Sequence, residues 1–210
     1  MKNLIIDFQT FGFDARTCPA ISCSLFVFDW KRFGDKPYSF QEIVDGSKSF
    51  KLSVQEQVEK YGYTIEQESL DWWGERLPSI KKSIKPNITD LSVEDFVQNL
   101  LEYTDSAPKF VYWWTRNNTF DPIVLYGLGY NAKRDAEMKN AFKPWRVRDM
   151  GTHIDAKFNF SSDTNFIPVE DSEYWAETYI QYNSSHDIAA DVLRLQAIFR
   201  AENDLEMVKR

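Results

Sequence analysis

Three consecutive apolar residues, Leu4-Ile5-Ile6, run straight into Asp7, with Gln9 two positions further on. A short unbroken apolar stretch rich in Ile and bounded by polar residues reads as an interior strand. Ser22 to Trp30 reads the same way, and an interior strand needs partners. Ser39 to Val54 alternates imperfectly and is expected to be a third strand, with its turn at Asp45-Gly46, so that the three form an antiparallel meander. A helical region broken at Pro78 and Pro86 follows. Ser92-Val-Glu-Asp then opens the amphipathic run Val93, Phe96, Val97, Leu100, Leu101 in the manner of a capping box.

Lys109 to Trp114 reads as a further buried strand, followed by a polar loop and a helix starting around Pro122, where proline is tolerated in a first turn. Arg146 to Ile154 fits a short strand or a helix start. Near the end, Ser185 is expected to cap a helix whose Ile188, Val192, Leu195 and Phe199 fall on one stripe. Strands first, then helices interleaved with another strand, imply an α/β fold with a mixed central sheet flanked by helices.

The length of 210 residues suits one domain, expected to span residues 1–210, and 43% hydrophobic residues give it a real core. A net charge of -7 argues against a protein that coats long nucleic acid through a basic face, because such binding depends on neutralising phosphates. It does not exclude an enzyme that grips a few nucleotides at one end through metal ions. Lys81, Lys82 and Lys85, and again Lys143, Arg146 and Arg148, cluster locally, as a solvated helix face also would. Cys18 and Cys23 fit neither a zinc knuckle nor a redox pair. No apolar run approaches membrane-spanning length and no leader precedes the first strand, so a soluble protein of the cytoplasm is expected.

Three polar constellations stand out, each with an ordinary structural explanation. Asp7 and Gln9 lie on one face of their strand, since side chains at i and i+2 point the same way, yet a strand ending in a polar pair accounts for them too. Arg116-Asn-Asn-Thr-Phe-Asp-Pro ends in Asp121, which as Asp before Pro is a natural N-cap. His186-Asp-Ile-Ala-Ala-Asp191 is the third. On a continuous helix its two ends point about 140° apart, so both face one place only if His186 sits on the loop or first turn. Asp187 and Asp191 share a face, and Asp191 has Arg194 within reach as a simple ion-pair partner. The chain has two histidines, and His153 takes a structural role by default.

Taken jointly, an Asp-x-Gln-Thr strand, a Phe-Asp at a later helix start and a His-x-x-x-x-Asp near the end resemble the DEDDh family of 3'-to-5' exonucleases on the ribonuclease H-like fold. Leu70-Asp-Trp-Trp and Trp145-Arg-Val-Arg-Asp-Met-Gly-Thr make the likeness strongest to the phage exonuclease A group and its bacterial relatives. The resemblance implies hydrolysis of single-stranded DNA from its 3' end, releasing nucleoside 5'-monophosphates with two divalent cations, Mg²⁺ or Mn²⁺. It implies a host cytoplasm for a phage-encoded chain. Asp7 would bridge both ions, position 9 and Asp191 would complete the first site, and Asp121 would hold the second ion through water. His186 would be the general base. The main-chain N-H of Thr10 would meet the terminal 3'-hydroxyl, Phe11 and Phe120 would wall the terminal base, and Arg116 and the Trp72-Trp73 pair would contact backbone and bases.

The family pattern has Glu where this chain has Gln9. An amide oxygen still reaches a metal but brings no charge, so weaker ion binding and a slow or inactive enzyme are expected. The exchange keeps shape while removing charge, as in a variant made to trap substrate, and an engineered origin is expected. Two other readings stand beside this one: a pseudo-nuclease that binds nucleic acid ends or a partner protein without cutting, and a ribonuclease trimming RNA 3' ends.

Overall fold

The computed structural model describes residues 1–157 and 178–208. Its sheet is built from β1 (Lys2–Thr10), β2 (Ala20–Asp29), β3 (Lys48–Lys51), β4 (Tyr112–Thr115) and β5 (Val147–Asp149), in the order β3-β2-β1-β4-β5. β1 pairs antiparallel with β2 and β2 with β3, while β4 and β5 run parallel to β1. The expected meander and the mixed sheet are therefore both present. Helices cover both faces, as the interior strands require: α1 (Arg32–Asp35), α2 (Phe40–Gly46), α3 (Val54–Tyr61), α4 (Gln67–Gly74), α5 (Pro78–Ser83), α6 (Val93–Ser106), α7 (Asp121–Asn131), α8 (Asp135–Ala141), α9 (Met150–Lys157) and α10 (Ser184–Val208).

Strand alternation divides the core. Leu4, Ile6 and Phe8 pack with Val93, Phe96 and Val97 of α6 and Val124, Leu125 and Leu128 of α7. Ile5, on the other face, packs with α2, α9 and the Ile188, Val192 and Leu195 stripe of α10. Neighbouring tryptophans of β4 split the same way, Trp113 to the first face and Trp114 to the second. Asp7 and Gln9, in phase with Ile5, are thus on the α10 side.

Three boundaries differ from the sequence reading. Phe40 to Gly46 is a helix rather than the first arm of a hairpin; the Ser39 hydroxyl accepts from the Glu42 N-H and caps it, and only Lys48–Lys51 is strand. α10 is capped by Asn183, whose Oδ1 accepts from both the N-H and the hydroxyl of Ser185, so Ser185 is already inside the helix. Arg146 to Ile154 is strand and helix in succession, β5 giving way to α9 at Met150. Pro78 and Pro122 each stand in a first turn.

Candidate active site

Four carboxyls from three elements gather at the end of β1. Asp7 comes from the strand itself, Asp187 and Asp191 from one face of α10, and Asp121 from the first turn of α7, reaching around from the opposite layer. The Asp121 Oδ1 accepts the Phe8 N-H at 3.2 Å, which ties that helix start to the strand end. Burial raises the Asp7 carboxyl well above the usual carboxylate range, and the charges of Asp121, Asp187 and Asp191 raise it further. Asp121 is pushed up to about 7, first by burial, against the lowering effect of the Phe8 and Asn117 N-H groups. Asp187 also rises to about 7, again chiefly by burial, with Asp191 adding to it.

Gln9 stands between two of these groups. Its Nε2 donates to Asp7 Oδ2 at 2.9 Å and to Asp187 Oδ2 at 3.2 Å. A glutamate could make neither bond and would add a further negative charge. Asp191 is held differently: Arg194 Nη1 donates to its Oδ1 at 2.9 Å, and Arg116 Nη1 donates to the same oxygen. Asp7, Gln9, Arg116, Tyr179, Tyr182, Asp187, Asp191 and Arg194 line a cavity of about 210 Å³.

Other residues named from the sequence lie nearby in varied roles. His186 is in the first turn of α10, but its ring packs edge-on against Phe40 at 5.2 Å, and its Nδ1 accepts the Ile180 N-H at 3.0 Å. It does not line the carboxylate cavity. Burial lowers its pKa, so the ring favours the neutral form. Trp73 is only 4% exposed; it packs on the buried Phe11, and its Nε1 donates to the Thr10 carbonyl at 2.9 Å. The Thr10 hydroxyl donates to the Gly12 carbonyl, just past a register shift in the β1–β2 pairing at Gln9/Thr10. Phe120 is half-buried against the α6–α7 core. His153 packs edge-on against Trp114 at 5.7 Å.

Asp187, Tyr179 and Tyr182 joined the site without having been singled out for it. Asp187 accepts the Tyr179 hydroxyl at 2.8 Å and the Tyr182 N-H at 3.3 Å, in addition to Gln9; its spacing of four from Asp191 was the available signal. Tyr182 has φ +67°, in the left-handed region that a bulky residue rarely adopts. The Asp187 bond and an edge-on contact with Trp72 at 4.4 Å hold it there.

The donor set suits a hard divalent cation: it is entirely oxygen, acidic and repelled by itself. Among the described residues no three His, Cys, Asp or Glu side chains stand at the spacing of ligands around one ion. The Gln9 amide and two guanidiniums occupy the carboxylates instead. The fit is therefore one of chemistry, in a site that also closes on itself through its own donors.

Comparison with known proteins bears on the family and the fold. A family model described as the 3'-5' exoribonuclease Rv2179c-like domain matches residues 2–199. An exodeoxyribonuclease of Enterobacteria phage T4 is 24% identical over 98% of this chain and 92% of its own length. Among solved structures, E. coli exonuclease I with a 5cy-dT13 oligonucleotide superposes with a TM-score of 0.60 at 12% identity, and its zinc-bound complex with single-stranded DNA gives 0.55 at 13%. Those matches cover 97% and 94% of this chain but only 42% and 39% of exonuclease I. The fold is ribonuclease H-like, and the chain belongs to the Rv2179c-like 3'-5' exoribonuclease domain family.

Proposed function

We propose that residues 1–210 act as a single 3'-5' exonuclease domain in the cytoplasm, removing nucleoside 5'-monophosphates one at a time from single-stranded 3' ends. The observation that carries this reading is the convergence of Asp7, Asp121, Asp187 and Asp191, close enough that the other three charges disfavour ionisation of Asp7. Asp7, Asp121 and Asp191, with the Gln9 amide oxygen, would hold two divalent cations, Mg²⁺ or Mn²⁺. When bound, these ions neutralise the phosphate and make the attacking water more acidic.

The chain's own groups do the rest. His186 takes the proton of the attacking water. Its Nδ1 accepts from Ile180 in this structure, which puts the proton of the neutral ring on Nε2, so acting as a base requires that contact to open and the ring to turn from Phe40. Arg116, beside Asp191, meets the substrate backbone, and the Thr10 N-H, Phe11 and Phe120 receive the terminal nucleoside, with Trp73 supporting Phe11 and Thr10 from beneath. Gln9 slows the reaction, because its amide holds Asp7 and Asp187 together without charge.

The named relatives divide on the sugar, the phage protein for DNA and the family for RNA. Single-stranded DNA is the substrate expected from the phage likeness; RNA is the second reading, favoured by a row of hydroxyls described below. Incubating a 5'-labelled single strand with Mg²⁺ or Mn²⁺ tests the activity. The expected result is a ladder shortening from the 3' end, faster for Gln9→Glu. No cleavage of DNA or RNA by that variant would contradict the reading and favour an end-binding protein.

A further inference from the structure

We infer that a trench beside the carboxylate cavity binds a nucleotide upstream of the scissile bond and reads its ribose 2'-hydroxyl. The inference rests on the exonuclease reading for the direction of the strand, while the trench itself is read from cross-strand pairing. Asp7 pairs with Ser24, which pairs with Ser49; Gln9 pairs with Ser22, which pairs with Lys51. Directly paired residues point to the same face of a sheet. Two polar rows therefore leave the carboxylates and cross β2 to the edge strand, ending in a hydroxyl and an ammonium.

The Gln9–Ser22–Lys51 row, together with Ser49 at the end of the other, floors a cavity of about 250 Å³ whose walls include Ser83, Ile84, Asn183 and Ser184. Gln9 and Tyr182 line this cavity and the carboxylate cavity alike, so the two adjoin at these side chains. A strand whose 3' end lies at Asp7 can continue through the trench toward Lys51. That side chain also meets Asp90 Oδ1 at 3.4 Å, yet keeps 30% of its surface exposed.

The hydroxyl geometry carries the sugar preference. Ser24, 0% exposed, sits 2.8 Å from the Ser49 hydroxyl and 2.7 Å from the Ser184 hydroxyl. A hydroxyl has one proton, so Ser24 donates to one neighbour and accepts from the other. Whichever way the chain is oriented, one of Ser49 and Ser184 keeps a proton to offer the trench and the other offers a lone pair. A ribose 2'-hydroxyl both donates and accepts, and matches that pair; a deoxyribose leaves it to water. Because Ser49 is exposed, water substitutes at small cost, and the preference is one of degree.

The test measures binding by fluorescence anisotropy of 5'-labelled ten-residue strands with Ca²⁺ replacing Mg²⁺, using all-DNA, all-RNA and RNA carrying a single 2'-deoxy residue at each of the last positions in turn. One deoxy position is expected to weaken RNA binding roughly three- to tenfold, the size of one hydrogen bond. Ser49→Ala, an exposed and mild change, is expected to weaken all-RNA by the same factor and to leave that deoxy strand and DNA unchanged. Lys51→Gln is expected to weaken RNA and DNA alike and to lower the salt dependence by about one phosphate contact. No position-specific deoxy effect, an equal loss on DNA for Ser49→Ala, or no binding of any strand would overturn the inference. The exonuclease reading fails separately, through absence of cleavage by Gln9→Glu with Mg²⁺ or Mn²⁺ even where the 2'-hydroxyl effect is present.

Discussion

At the scale of single residues, Gln9 decides how the site behaves without metal. Its amide joins Asp7 to Asp187, two carboxyls that would otherwise repel. Gln9→Glu removes both hydrogen bonds and adds a like charge, so the metal-free variant is expected to melt several degrees below the parent and to gain more on adding Mn²⁺. Thermal melts in EDTA and in Mn²⁺ check this; equal melting in EDTA would show that the amide bonds do not hold the site. The raised carboxyls give a second expectation. Asp121 and Asp187, pushed up to about 7, keep protons in the folded chain that the unfolded chain has released, so metal-free stability falls as pH rises from about 4 to about 7, and Asp7, raised well above its ordinary range, acts in the same direction. His186, lowered by burial, acts in the opposite direction below its ordinary 6.5, as one group against three. Melts in EDTA across this window are expected to slope downward, and Asp187→Asn to flatten the slope; a rising profile would contradict the assignment. His186→Ala is expected to cut turnover by about 10²- to 10⁴-fold while leaving oligonucleotide affinity nearly unchanged, a division that single-turnover rates and anisotropy resolve.

At the scale of elements, the placement of α10 governs the site, because two of its carboxylates, Asp187 and Asp191, enter it. Asn183 fixes where that helix begins. Asn183→Ala is expected to cost about 1 kcal/mol in urea unfolding and to weaken Mn²⁺ binding through displacement of both aspartates; an unchanged metal affinity would show that the cap does not position them. The helix also marks where sequence reading succeeded and where it stopped. The stripe Ile188, Val192, Leu195 was legible because helical spacing is a local property, and so was the start of α6 at Ser92. The α2 helix was obscured because imperfect alternation across Ser39 to Val54 outweighed its capping pair, Ser39 and Glu42. Capping of α10 passed to Asn183 because neighbouring polar residues, Asn183, Ser184 and Ser185, offer competing caps whose choice depends on where the chain enters from the preceding turn.

At the scale of the molecule, sheet order does what spacing alone cannot. β1 lies at the centre with its antiparallel partner on one side and parallel β4 on the other, so α7 and α10 reach the same strand end from opposite faces. Asp7, Asp121 and Asp191 were recognisable through a motif order that spans the chain. The engagement of Asp191 by Arg116 was not, since it joins residues 75 apart in sequence. The Ser49-Ser24-Ser184 hydroxyls were equally hidden, being assembled only when β3 pairs with β2 and α10 packs across them. Nor does sequence disclose the orientation of His186, which depends on Phe40 and the Ile180 N-H. Among the described residues no helix is long and apolar enough to cross a membrane.

Catalysis by this chain depends on the aspartates at the end of β1 sharing a cation centre. Titrating Mn²⁺ into the Gln9→Glu protein by calorimetry, beside the same protein carrying Asp7→Asn, tests this most directly. Saturable binding that Asp7→Asn abolishes is the predicted result; Mn²⁺ bound equally well by both proteins would contradict it.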